Sequence, residues 1–280
     1  MKFISFEHGG RQQWGLVKGD SVLPAASAEH PTMKSAIAAG KLEELGRALA
    51  AQTGGIALSE VKFLPVITEP GKIMCIGLNY EEHRVETGRD KTENPTVFMR
   101  IADSQIGHLQ PILVPIESHE LDYEGEIAVV IGKQGRRIKP ADSWSHIAGY
   151  SVYNDASVRD WQRHTTQFTP GKNFVATGGF GPWLVTREEI ADGEELELTT
   201  RLNGQVMQHA TTAMMIFSIP ELIAYVSTYT ILRPGDVIVT GTPGGVGMKR
   251  KPPVWMKDGD TVEVEVAKIG VLRNPIRQER

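Results

Sequence analysis

The sequence predicts an α+β, β-rich fold, and three observations carry that prediction. Strand-like apolar runs outnumber helical patterns and do not alternate regularly with them, which excludes a doubly wound sheet or an eight-stranded β/α barrel. Two short hairpin signals, Gly9-Gly10 and Asn203-Gly204, stand between such runs. Two further runs, Ile73–Gly77 and Ile127–Ile131, have no polar face and read as buried strands.

Taken in order, Lys2–Phe6 and Gln13–Val17 form the first hairpin, and Thr32–Ala51 carries Met33, Ile37, Leu42, Leu45 and Leu49 at mostly helical spacing. The run Glu60–Val66 leads to the turn signal Glu69-Pro70-Gly71, which marks a boundary between a small N-terminal domain, residues 1–66, and a larger domain, residues 72–280. The small domain holds no cluster of reactive side chains, so its expected role is structural. In the larger one, strands are expected at Ile73–Gly77, Ile127–Ile131, Gly149–Tyr153, Leu196–Leu202, Asp236–Thr240 and Thr261–Val266. Helices are expected at Ser157–Phe168 and at Ile219–Thr230, the second with Ser218 as N-cap, Pro220 near its first position and Glu221 in its first turn.

Composition removes several function classes. With 280 residues, 40% hydrophobic and 23% charged, the chain has the make-up of a globular protein with an ample core. A net charge of −4, and no basic run longer than Met248–Lys251, leaves no footprint for nucleic acid. A single cysteine, Cys75 in an apolar run, excludes a disulfide framework and any multi-cysteine metal site. The Gly-rich stretch Gly241–Gly247 lacks the Gly-Lys-Ser/Thr ending of a phosphate-binding loop and the spacing of a dinucleotide fingerprint. No apolar stretch approaches the roughly 20 residues that span a bilayer, and the first residues show no signal-peptide core, so a cytoplasmic protein is expected.

The segment Glu120–Glu126 is the most informative. Residues two apart in a strand share a face, so Glu124 and Glu126 project together, about 6.6 Å apart at ~3.3 Å per residue. Two carboxylates at the mouth of an apolar strand repel and desolvate each other, which proteins tolerate mainly with a cation between them. A solvated strand edge is the plainer alternative. Asp155 ends a second apolar run and is either a helix-entry residue or a third ligand; a Glu/Glu/Asp set favours a hard ion, Mg²⁺, Mn²⁺ or Ca²⁺, over zinc.

Six motifs then carry a resemblance: GLNYEEH (77–83), LDYEGEIAVVIG (121–132), YNDASVRDWQ (153–162), TPGKNF (169–174), MIFSIPELIAYVS (215–227) and GDVIVTGTPGGVG (235–247). In this order they resemble the fumarylacetoacetate hydrolase family, whose members act on 2-oxo and β-diketo acids with a divalent metal. The resemblance implies a mixed β-sandwich or roll catalytic domain and a homodimer paired through it. By position it implies Glu124, Glu126 and Asp155 as metal ligands, His83 and Glu86 as a catalytic pair, and Lys172 pointing at a substrate oxygen. Arg100, Gln162 and Thr242 fall where substrate contacts are expected, whereas the extra aspartate ligand of the animal fumarylacetoacetate hydrolases has no counterpart, Asn79 or Ile76 standing nearest.

The activity this implies first is hydrolysis of a C–C bond in an acylpyruvate or fumarylpyruvate, with water activated by His83 and a pyruvate enolate leaving. Oxaloacetate-type decarboxylation and hydration or isomerisation of a 2-oxo-alkenoate, in aromatic or sugar-acid catabolism, pass through the same enolate. A non-enzymatic small-molecule binding module is the reading from another class. The polar segment Glu86–Pro95 cannot build a core and is expected to act as a lid.

Overall fold

The N-terminal runs form the expected hairpin, Lys2–His8 against Arg11–Lys18, closed by Gly9 and Gly10 with φ of 57° and 72°. In this computed structural model, which describes residues 1–280, the hairpin continues into the larger sheet: Lys2 and Phe3 pair with Val185 and Leu184 of strand Gly178–Thr186. The order across that sheet is Ile56–Ala57, Ser21–Pro24, Arg11–Lys18, Lys2–His8, Gly178–Thr186, Ile147–Asp155, Gly125–Ile131, Val237–Val239, Ile73–Gly77 and Thr96–Arg100. Phe3, Trp14, Leu16 and Met33 therefore share one apolar cluster with Ala128, Val130, Val237 and Val239. Residues 1–66 thus extend the sheet that carries the candidate site and pack against one of its faces.

The other face meets a second sheet, ordered Gln205–Thr211, Glu197–Leu202, Thr261–Val266, Gly270–Gln278 and Ile112–Val114. Ile127, Val129 and Ile131 point into it and pack with Leu198, Val264, Val266 and Leu272. Alternation along Gly125–Ile131 thus feeds two cores at once, which is why this run shows no polar face. Gly125 lets the sheets close: a Cβ there would fall inside contact distance of Thr200 Oγ1. The result is the expected sheet-dominated α+β sandwich.

Two helical expectations need correction. Thr32–Ala51 is two helices, Met33–Ala38 and Leu42–Ala50, parted at Gly40 with φ of 67°. Ser157–Phe168 is helical only over Arg159–Gln162, because Ser157 and Val158 are drawn into a ladder with Asp122 and Leu121. The next residues, Arg163–Gln167, offer no apolar stripe to extend the helix. The helix Ile219–Tyr229 forms as expected, with a reciprocal Ser218–Glu221 capping box and with Leu222, Ile223 and Val226 buried. No helix is long and apolar enough to cross a membrane.

Candidate active site

Two strand ends and the break before one of them build the acidic cluster. Asp155 is the last residue of Ile147–Asp155, Glu126 the second of Gly125–Ile131, and Glu124 lies in the short break before it. Ladder pairing of Gly125 with Asn154 and of Glu126 with Tyr153 sets the register, and the Asp155 amide donates to the Glu124 carbonyl at 2.8 Å. Each residue offers a carboxylate oxygen within 4.8 Å of the others, and the three are at most 5% exposed.

Their electrostatic surroundings differ. Glu124 is paired with Lys172 at 2.6 Å and Arg159 at 2.7 Å; burial pushes its carboxyl up, and these two cations overcome that and hold it at about 2. Asp155 is paired with Lys172 at 2.7 Å and Arg100 at 2.6 Å. Glu126 has no cationic side chain against it and accepts only the Gly241 amide, at 2.5 Å. Burial, then the Asp155 and Glu124 charges, push its carboxyl far above the ordinary range. Arg159 is also shared with buried Asp122, so four carboxyl groups face three cations, and ionising all four leaves one negative charge in excess. An all-oxygen, desolvated cluster that is over-negative once ionised fits a hard divalent cation, and Glu126 is the carboxylate that most needs one.

The pair His83 and Glu86 lies on the short helix Glu81–Thr87, which ends at Gly88 with φ of 68°. Glu86 Oε1 is 2.8 Å from His83 Nδ1, and its Oε2 accepts the Gly245 amide at 3.0 Å. The imidazole is buried, lines the cavity, and has no protein partner at Nε2. A seven-residue helix cannot hold itself in water, so its seat on the Gly241–Gly247 turn fixes the pair.

A cavity of about 560 Å³ joins these groups. Glu124, Glu126, His83, Lys172, Gln162 and Thr242 all line it. Gln162 Oε1 accepts from Arg159, and Thr242 Oγ1 donates to the Gly125 carbonyl. Lys172 Nζ sits between Glu124 and Asp155, 5.0 Å from the Phe98 ring centre. Arg100 departs from expectation: its side chain is sealed behind Asp155, bonded to Asp155, Thr177 and the Ala156 carbonyl, and does not reach the cavity. Its guanidinium orients a carboxylate instead of touching substrate. Asn79 is a clamp, bonding Phe217 and Thr240, and not a ligand.

Sequence reasoning missed Asp122 and Arg159, which lie inside two of the motifs. Asp122 shares strand parity with Glu124 and Glu126, and that signal was available. Arg89, Arg163 and Lys249 at the cavity wall were also missed, since only the folded chain brings them together.

The family model described as "Fumarylacetoacetate (FAA) hydrolase C-terminal" matches residues 72–277. Over 231 residues, 82% of this chain and 74% of its relative, the sequence is 45% identical to "Oxaloacetate tautomerase Fahd2a, mitochondrial" of Rattus norvegicus. Among solved structures, 5-carboxymethyl-2-hydroxymuconate delta-isomerase from Mycobacterium smegmatis superposes with a TM-score of 0.79 at 30% identity, each chain covered in full. Maleylpyruvate hydrolase from Sphingobium sp. SYK-6, in complex with manganese (II) ion and pyruvate, gives 0.84 at 26% identity, again over both whole chains. The expectation of a cytoplasmic protein is overturned, because the rat relative and the 44% identical relatives from Bos taurus and Homo sapiens are all named as mitochondrial. The match over residues 72–277, the identity to these relatives and the shared architecture place the chain in the fumarylacetoacetate hydrolase family, among its enzymes.

Proposed function

We propose that this chain is a divalent-metal-dependent tautomerase of 2-oxo dicarboxylates such as oxaloacetate, moving a proton between C3 and the C2 oxygen. The observation that carries the reading is buried His83, held by Glu86, opening onto the same cavity as the acidic cluster. The name of the 45% identical rat relative supports this substrate over the acylpyruvates expected first. Glu124, Glu126 and Asp155 would hold Mg²⁺ or Mn²⁺, with Ca²⁺ a weaker fit to chemistry, and the cation would supply Lewis acidity toward the 2-oxo-acid end.

The chain's own groups do the rest. His83 Nε2 removes the C3 proton, the C–H electron pair becomes the C2=C3 bond, and the proton is delivered to the C2 oxygen. Nothing is gained or lost overall. Glu86 holds the ring by Nδ1 and stabilises its charged form while the proton is carried. Lys172 puts a buried positive charge beside the ligands, where negative charge develops on oxygen. Arg89, Arg163 and Lys249 in the wall favour a substrate with a second carboxylate.

One observation favours a second reading, C–C hydrolysis of a β-diketo acid: a cavity of about 560 Å³ walled partly by Phe98 and Phe168 is roomier than a four-carbon acid needs. The likeness to maleylpyruvate hydrolase supports it. Proton NMR of oxaloacetate, acylpyruvates and fumarylpyruvate with Mn²⁺ separates the readings. Accelerated enol–keto interchange without cleavage supports the first; cleavage to pyruvate without that interchange replaces it with the second.

A further inference from the structure

We infer that Tyr123 and Arg250 are positioning residues for the His83–Glu86 pair, acting through the two ends of one residue, Gly245. The inference rests on the reading of His83 as the proton carrier. At its amide end Gly245 donates to Glu86 Oε2 at 3.0 Å, and Glu86 Oε1 holds His83 Nδ1 at 2.8 Å. At its carbonyl end Gly245 accepts the Tyr123 hydroxyl at 3.1 Å and Arg250 Nε at 3.4 Å. Arg250 Nε also lies 3.2 Å from the Tyr123 hydroxyl oxygen, and its Nη2 donates to the Met207 carbonyl at 2.5 Å. The turn is thus tied down on one side by a buried phenol and a guanidinium, and on the other it grips the carboxylate that orients the imidazole.

Sterics point the same way. Gly245 has φ of 98°, and a Cβ there would drive into the Met207 carbonyl oxygen; a Cβ on Gly244 would lie 2.6 Å from Glu82 Cγ. The helix Glu81–Thr87 can therefore seat directly on the turn backbone, with no side chain between them. Tyr123 immediately precedes Glu124, so one short segment supplies a metal-ligand candidate and the anchor for the proton carrier.

The test uses the full chain with Mn²⁺ and the substitutions Tyr123→Phe and Arg250→Ala, singly, together, and in a His83→Ala background. Tyr123→Phe keeps the buried ring and so the fold. The paired substitution should lower kcat on oxaloacetate roughly 10- to 100-fold with KM within about twofold, the scale expected when a reacting group is misplaced. Mn²⁺ affinity by calorimetry should be unchanged, amide exchange across residues 81–88 should accelerate, and Arg250→Lys should recover part of the rate. In the His83→Ala background the same substitutions should cost nothing further. Unchanged kcat with unchanged exchange overturns the inference, and so does an equal loss without His83, because the effect would not travel through the imidazole. If wild type is inactive on oxaloacetate, or His83→Ala is fully active, the functional reading fails instead. Exchange across residues 81–88 then still decides whether Tyr123 and Arg250 hold the helix.

Discussion

Arg159 bridges Glu124 and Asp122: its Nη2 lies 2.7 Å from Glu124 Oε1 and 2.8 Å from Asp122 Oδ2. Asp122 in turn accepts the amides of Gly247 at 2.8 Å and Met248 at 3.0 Å. One buried guanidinium therefore joins the acidic cluster to the glycine turn that seats the His83 helix. Arg159→Ala strands the Asp122 and Glu124 charges in the core and should cost about 3–5 kcal/mol, the usual loss on breaking a buried pair from one side. Urea denaturation measures it, and a loss below about 1 kcal/mol would show the bridge to be dispensable.

Glu126 is the cluster's carboxylate without a cationic partner, so its replacement should harm the metal and spare the fold. Glu126→Gln keeps the shape and an oxygen for the Gly241 amide. Its melting temperature without metal should equal or exceed that of wild type, because a desolvated acid is removed. The rise in melting temperature on adding Mn²⁺ should disappear. A full Mn²⁺-induced rise in the variant would remove Glu126 from the ligand set.

His108 gives a pH dependence away from the site. Burial, and then the Arg273 charge, hold its imidazole down at about 4, while its Nδ1 accepts the Arg273 amide at 3.1 Å. Between about 6.5 and 4 the unfolded chain takes up a proton that the folded chain refuses, so stability falls as pH falls through that window. The loss is on the order of 3 kcal/mol at most. In His108→Gln the difference in unfolding free energy between pH 7 and pH 4.5 should shrink; an unchanged difference would assign the acid lability to other groups.

Arg89 and Lys249 line the cavity and form no ion pair within the chain. Replacing both by serine should raise KM for oxaloacetate roughly 30-fold or more, since each contact to a charged group contributes on the order of 1 kcal/mol or more. KM for a 2-oxo monocarboxylate should stay unchanged. Equal effects on both substrates would show that these cations do not read a second carboxylate.

Much of the site is legible in the sequence because its logic is local. Glu124 and Glu126 share parity beside an apolar strand, Asp155 ends another, and the i, i+3 spacing of His83 and Glu86 places them on one helical face. The hairpins at Gly9-Gly10 and Asn203-Gly204 are legible for the same reason, since positive φ is a property of the turn itself. What local pattern does not hold is which distant segment each charge will meet. Arg100 reads as a substrate contact until strand Thr96–Arg100 is seen to carry it behind Asp155. The contacts of Glu86 with Gly245 and of Asp122 with Gly247 join residues 159 and 125 positions apart. Ser157 and Val158 show the same limit, because pairing with Leu121 and Asp122 overrides their place in a helical pattern.

Exchange of the C3 protons of oxaloacetate with deuterium, followed by NMR in wild type and in His83→Ala, both loaded with Mn²⁺, reads the proton transfer by His83 directly. Wild type should accelerate the interchange, and the alanine variant should lose at least about a hundredfold of that rate, the usual worth of a positioned acid–base group. Calorimetry on the same samples should show equal Mn²⁺ affinity. A His83→Ala protein that interconverts the tautomers as fast as wild type would contradict the assignment of the proton to His83.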